Sequence, residues 1–167
     1  VHDDPAMVAG GLRAVLLQLM HPLLTAGLVD HATDGRDPLW RLAAQLGVIE
    51  AYVYGDEEDL DGVLAQMREA HTPVHGIAPD GRRYDATDPH LLGWVHAVLV
   101  DSFVRAADRF GPRLDPVEAD AYVAELAELG ERLGAEAPAR SVATLRQQLR
   151  EKRSELMPSP QARAEAH

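Results

Sequence analysis

Four of the eight histidines lie in one stretch, EAHTPVHGIAPDGRRYDATDPHLLGWVHAVLVDS, which spans residues 69–102. They are His71, His75, His90 and His96. Imidazole binds metals and transfers protons near neutral pH, so this clustering raises the question of a chemical site. The chain has no cysteine, which excludes disulfides, thiolate nucleophiles and cysteine-based zinc or iron–sulfur sites. Histidines and carboxylates are therefore the strong metal ligands that remain.

The spacing of His71 and His75 permits two interpretations. On an unbroken helix, residues four apart share a face and can chelate one metal ion. Pro73 lies between them and favours the end of the helix at that point. A metal site made of protein ligands alone is therefore the weaker interpretation of this pair.

His71 also follows Val63, Leu64 and Met67 at helical spacing, which directs it toward the core. One interpretation is a core histidine bonded to a backbone carbonyl. The other is an axial ligand of haem iron, which requires one imidazole in an apolar slot. The pattern alone favours the core histidine and leaves both open.

Three further polar residues lie in apolar helical segments. His21 in QLMHPLL and His96 in GWVHAVLVDS are both predicted to be buried. Gly93, one turn before His96, permits the close approach of a helix or of a flat ligand. Asp101 is expected to pair with an arginine, because an unpaired buried carboxylate is costly.

Composition and missing motifs exclude several classes of function. There is no GxSxG, P-loop or GxGxxG motif to support acyl transfer, nucleotide hydrolysis or Rossmann-type hydride transfer. The formal net charge of −11 argues against nucleic-acid partners and against docking on anionic lipid. No apolar run is long enough to predict a membrane span. The chain begins at Val1 and shows no signal sequence, so we expect a trimmed piece located in the cytoplasm.

Four Asp-Pro pairs mark the starts of predicted helices, with aspartate as N-cap and proline as the first helical residue. The aspartates are residues 4, 37, 88 and 115. Acidic residues 56–61 and Ser141 indicate further helix starts, and QARAEAH near the end begins another. Pro22 and Pro73 predict breaks at His-Pro and His-x-Pro. RRYDAT either forms a small strand or stays irregular.

These elements predict an all-α fold. We expect one globular helical domain over residues 1–167, with about six to eight helices and the most buried helix starting at Asp88-Pro89.

Five stretches, in this order, resemble the rubber oxygenase family, which includes the latex clearing proteins and an ER-bound oxygenase of mycophenolic acid biosynthesis. They are AVLLQLMHPLLTAGLVDH (14–31), DPLWRL (37–42), YVYGDEED (52–59), HTPVHG (71–76) and DGRRYDATDPHLLGWVHAVLVDS (80–102). The last is the most specific, and the resemblance weakens after Phe110. It implies an all-α fold with haem b in a helical pocket. It also implies dioxygen chemistry at the carbon–carbon double bonds of an apolar substrate.

The resemblance implies a role for individual residues of this chain. His71 matches the proximal haem ligand, with His75 as the alternative. Arg41 matches the distal arginine of the latex clearing proteins. The pocket would be lined or oriented by three further residues, His21, Trp94 and His96.

Two departures from the family pattern bear on activity. The latex clearing proteins continue the distal arginine as R-x-x-K-T, whereas this chain has Ala44 and Gln45. Dioxygen would then be held by hydrogen bonds from Arg41, Gln45 or water, and this departure argues against rubber cleavage itself. We also expect the chain to stop before the family's usual C-terminal end, and the missing portion to have covered the pocket.

Three functions follow from the sequence. The first is a haem b-dependent oxygenase with dioxygen and a small apolar alkene as partners. The second is a haem-free binding or scaffold domain that kept the fold, which the missing Lys-Thr pair favours. The third is a metal hydrolase with histidine and carboxylate ligands, which rests only on His71 and His75.

Overall fold

The computed structural model describes residues 2, 4–31, 38–111 and 113–156, with the side chains of residues 38–42 and 45 outside the description. Seven α-helices lie in this part of the chain: α1 (Ala6–Gln18), α2 (Pro22–Asp30), α3 (Pro38–Tyr54), α4 (Glu57–His71), α5 (Pro89–Phe110), α6 (Pro116–Arg132) and α7 (Val142–Glu151). A 3₁₀ turn, Lys152–Glu155, follows α7. The all-α prediction is confirmed, and a short hairpin is added to it.

Local capping explains where several helices start. Asp88 accepts a hydrogen bond from the amide of His90 and caps α5, and Asp115 forms a reciprocal capping box with Glu118 at the start of α6. Both helices carry proline at their first position, as predicted. Ser141 caps α7. Helix α1 starts at Ala6 with Pro5 at the N-cap position that was expected for Asp4, although the Asp4 carboxylate still accepts a hydrogen bond from the Ala6 amide at 2.8 Å. Asp37 and the QARAEAH segment lie outside the described residues.

The predicted break at His21-Pro22 lies between α1 and α2, and the chain bends by 92° from one helix to the next. His21 adopts an extended conformation, with φ −88° and ψ 117°, as expected for a residue that precedes proline. Among the described residues no single helix is long and apolar enough to cross a membrane. The bent pair of α1 and α2 passes the same test of length and composition.

Helix α5 is the central element, as its nearly continuous apolar sequence predicts. Its buried residues include Trp94, His96, Asp101 and Phe103. Helix α1 lies close against it, because a Cβ atom at Gly10 would come within 2.8 Å of the Phe103 ring. The main hydrophobic cluster joins α5 to α1, α3, α4, α6 and α7. This arrangement fixes the positions of the buried histidines on α5 and beside it.

The hairpin pairs β1 (His75–Ile77) with β2 (Arg83–Asp85) in antiparallel register, so the RRYDAT segment does form a strand. Tyr84 is buried against Gly27 and Gly76, and its hydroxyl donates to the Asp30 carboxylate at 2.7 Å. This hydrogen bond, reinforced by burial and the negative charge of Asp30, raises the pKa of Tyr84 to about 12. The contact fastens the hairpin to the C-terminal end of α2.

Candidate functional site

His71 is the last residue of α4 and is half-buried. The preceding turns bury Leu60 and Leu64, and Met67 packs against the main core. His71 therefore continues the face of α4 that points inward, as its spacing predicts. Pro73 and Thr72 follow outside the helix. The predicted helix end within HTPVHG is confirmed.

His75 lies on a different element from His71. It is exposed on β1, where it faces Asp85 across the hairpin. His71 and His75 therefore do not lie on one unbroken helix, so helical spacing does not pair them as metal ligands. A depression of about 370 Å³ lies over the hairpin and includes His75, Arg83 and Tyr84 in its lining. Within the described residues no group of three or more histidine and carboxylate side chains could hold a metal ion.

His96 is buried at the interface of α5 and α6, with 7% of its surface exposed. A Cβ atom at Gly130 would lie 2.8–2.9 Å from the imidazole atoms, so the absence of a side chain at Gly130 makes room for the ring. Burial lowers the pKa of His96 to about 4. His96 is therefore a neutral imidazole at physiological pH.

His21 and Trp94 form a second buried pair, with ring centroids 6.1 Å apart. In the described part of the chain, neither ring nitrogen of His21 nor the indole Nε1 of Trp94 has a hydrogen-bond partner. The Glu155 carboxylate lies close by, with its Oε2 3.6 Å from Nε2 of His21. Burial lowers the pKa of His21, and the contact with Glu155 opposes that shift only in part.

The structure brings together two of the three residues predicted to line a pocket. Trp94 and His96 are two positions apart on α5, about 200° around the helix. Trp94 accordingly meets His21, whereas His96 meets α6 at Gly130. The space at Gly93 is taken by backbone, because a Cβ atom there would lie 3.3 Å from the Glu136 carbonyl oxygen.

Comparison with known families identifies the family of the chain. The family model described as "ER-bound oxygenase mpaB/B'/Rubber oxygenase, catalytic domain" matches residues 1–167. The chain belongs to this family. No curated protein and no solved structure gave a significant match. The resemblance seen in the sequence is thus confirmed over the whole chain.

The predicted distal residues, Arg41 and Gln45, rest on the resemblance to the oxygenase family. Arg41 and Gln45 are both on α3 and are four positions apart, which places them on one face of that helix. Their side chains lie outside the described residues. Ala44, which the sequence resemblance matches to the lysine of the latex clearing proteins, is half-buried. The roles of Arg41 and Gln45 stay predictions.

Sequence reasoning missed a charged cluster around His90. Glu155 Oε2 lies 2.9 Å from His90 Nε2, and Lys152 Nζ lies 3.0 Å from His90 Nδ1. Glu136 Oε2 is 3.5 Å from the same Nδ1. These residues are far apart in the chain, so no local pattern indicates their contact. The Lys152–Glu155 turn thereby joins the start of α5 and the buried His21.

A groove of about 620 Å³ lies between the α3–α4 corner and α6, away from the histidines of the predicted site. Tyr52 crosses it and donates to the Glu125 carbonyl at 2.8 Å. Arg132 pairs with Glu57 at 3.1 Å and with Asp61 at 2.8 Å. Arg132 is thus engaged by carboxylates of the protein itself, and we assign the groove no role in the chemistry.

Proposed function

We propose that the chain is a haem b-dependent oxygenase that acts with dioxygen on an apolar substrate bearing a carbon–carbon double bond. Membership of the oxygenase family supports the reaction class. The observation that carries the haem assignment is the position of His71, half-buried at the end of α4 and in line with Leu64 and Met67. The nature of the substrate and the use of haem are parts of this proposal that family membership alone does not give.

The donor set is compatible with haem. Ligation of haem iron needs an imidazole beside apolar side chains, and His71 is half-buried one turn after Met67, which packs against the core. Sites that rely on three or four protein ligands have no support among the described residues. His75 is a less suitable ligand because it is exposed on the hairpin. Haem, when bound, supplies the redox chemistry of dioxygen, and the protein supplies orientation and electrostatics.

The residues of the chain then take distinct parts in the proposal. His71 would hold the iron. Arg41 and Gln45 would donate hydrogen bonds to dioxygen, because positioned donors stabilise developing negative charge. The buried, neutral His96 and Trp94 of α5, with His21 beside Trp94, would line or orient the pocket. The apolar core around them would keep water away from the reacting atoms.

Ala44 in place of the family's distal lysine favours a second candidate, a haem-free binding domain with the same fold. Uptake of dioxygen distinguishes the two. Protein reconstituted with hemin is incubated with squalene, and with squalane as the saturated control, in an oxygen electrode. We expect uptake with the alkene alone, and a loss of about 10²-fold in Arg41→Met, the order of magnitude for removal of one positioned donor. Equal rates with squalene and squalane would contradict the oxygenase and support the binding domain.

A further inference from the structure

Lys152 carries the only side-chain amine of the chain. Of the sixteen lysine and arginine residues, Lys152 alone is lysine, and the others are arginine. It begins the 3₁₀ turn that follows α7 and is half-buried. A guanidinium keeps its charge in proteins, whereas a lysine amine can lose its proton on burial and then act as a nucleophile. The surroundings of Lys152 therefore decide whether this amine can react.

Three side chains at this turn stand in the order of a nucleophile, a base and a group that orients the base. Lys152 Nζ lies 3.0 Å from His90 Nδ1, and Glu155 Oε2 lies 2.9 Å from His90 Nε2. Nζ is also 3.2 Å from Nε2 and 3.4 Å from the His90 carbonyl oxygen. A carboxylate can only accept, so Nε2 carries the proton and Nδ1 accepts from the Lys152 ammonium. A nucleophile in hydrogen-bond reach of an oriented base is the arrangement that side chains use in covalent catalysis.

The environment favours loss of the Lys152 proton. Burial lowers the pKa of Lys152 below the ordinary lysine value of 10.5. Three negative charges oppose this shift without cancelling it, those of Glu155, Glu136 and Asp88. Burial alone would raise the pKa of Glu155, but its contacts with His90 and the charge of Lys152 lower it overall, so Glu155 stays a carboxylate at neutral pH. At a given pH, a larger fraction of Lys152 than of an exposed lysine is therefore uncharged.

The cluster lies at the surface, within reach of a molecule in solution. The exposed fractions of the side chains are 43% for His90, 33% for Glu155 and 63% for Glu136, whose Oε2 lies 3.5 Å from His90 Nδ1. The amine is thus partly desolvated without being enclosed in the core.

We propose that Lys152 is a reactive amine that forms a Schiff base with an aldehyde, with His90 as its base and Glu155 as the residue that positions His90. His90 Nδ1 takes one proton from the Lys152 ammonium, and the free amine attacks the carbonyl carbon to form a C–N bond. The carbonyl oxygen then takes one proton from the nitrogen and one back from His90, and it leaves as water. A protonated Schiff base remains, so the step needs no oxidant or reductant.

An oxygenase that splits a carbon–carbon double bond with dioxygen releases carbonyl compounds, so the proposed function would supply this class of substrate. The reactivity of Lys152 does not require haem. The amine and the oxygenase can therefore fail independently of each other.

Reductive trapping with hexanal and sodium cyanoborohydride tests the reactive amine. Cyanoborohydride delivers hydride to the Schiff base and fixes it as a secondary amine, which peptide mass spectrometry locates. Protein without hemin and free Nα-acetyl-lysine compete in one tube at about pH 7, where ordinary lysine is almost fully protonated. We expect Lys152 to be labelled about tenfold faster or more, because a positioned base adds to the effect of the uncharged amine. Equal labelling rates would overturn the reactive amine, and this comparison needs no variant that must fold.

Two variants test the base and the site. His90→Gln should bring the labelling rate of Lys152 to within about threefold of that of Nα-acetyl-lysine, because the base is lost. In the double variant Lys152→Arg with Arg146→Lys, the lysine is placed at an exposed position of α7. It should be labelled like Nα-acetyl-lysine and reach half its maximal rate at a higher pH than Lys152 does. An unchanged rate in His90→Gln would overturn the role of His90, and the same pH profile for both lysines would overturn the special environment of Lys152.

Glu155→Ala tests the positioning residue. We expect slower labelling of Lys152 without a rise in the pH of half-maximal rate, because the charge of Glu155 itself raises the pKa of Lys152. Loosening of the turn would instead expose Lys152 and raise that pH. Glu151→Ala removes an exposed carboxylate at the end of α7 and is the matched control, with labelling as in wild-type protein. Equal rates in the two variants, or a raised pH of half-maximal rate in Glu155→Ala, would overturn the positioning role of Glu155.

Discussion

Replacement of Asp101 by alanine is expected to lower the free energy of unfolding by about 2–3 kcal/mol. The Asp101 carboxylate is 4% exposed and holds Arg13 of α1 at 2.9 Å and Arg105 of α5 at 2.8 Å. Removal of one partner of a buried ion pair costs about 3–5 kcal/mol, and we reduce this because both arginines are partly exposed and can be rehydrated. Urea unfolding at constant pH measures the change.

Asp108→Ala is the matched control for Asp101→Ala. Asp108 lies on the same helix, but its side chain is 75% exposed and its contact with Arg113 is 3.8 Å long. We expect its substitution to change stability by less than about 0.5 kcal/mol. If Asp101→Ala destabilised the protein no more than Asp108→Ala does, the ion pairs of Asp101 would not be holding α1 against α5.

The second large effect concerns the response of stability to acid. His96 has a pKa of about 4 in the folded protein because it is buried, against an ordinary value of 6.5. Between these values the unfolded chain binds a proton at this position and the folded chain does not, so stability falls as the pH falls from 6.5 to 4. The full difference corresponds to about 3 kcal/mol. Urea unfolding at several pH values across this range gives the slope.

His96→Leu isolates this contribution. The variant is expected to lose part of the acid sensitivity, whatever its stability at neutral pH, because leucine cannot bind a proton. His75→Gln is the control, since His75 is exposed on the hairpin. The pH dependence of wild-type protein should persist in His75→Gln. An identical slope in wild-type protein and His96→Leu would show that His96 does not resist protonation in the fold.

The elements that could be predicted from the sequence are those whose signals are local. Asp88-Pro89 and Asp115-Pro116 start α5 and α6 because the cap and the proline act within one turn. Pro73 ends α4 near His71 for an equally local reason. The pairing of Asp101 with arginine was predictable because a buried carboxylate requires it, although its two partners on different helices were not.

The parts of the site that escaped prediction depend on tertiary contacts. His90 meets Glu155 and Lys152 across most of the domain, and no spacing in the sequence encodes that meeting. The sequence predicts that a helix or a flat ligand comes close to Gly93, whereas in the structure the Glu136 backbone lies there. Trp94 and His96 lie on one helix, and the rotation between them directs Trp94 to His21 and His96 to Gly130, which only the packing of the other helices determines.

The absorption spectrum of the protein purified from haem-replete cells tests the central claim most directly. Wild-type protein should show a Soret band, which His71→Ala should lose or strongly shift and which the control His75→Ala should keep. A Soret band unchanged by His71→Ala would contradict the assignment of His71 as the iron ligand. The absence of a Soret band in wild-type protein, even after addition of hemin, would contradict the haem oxygenase itself.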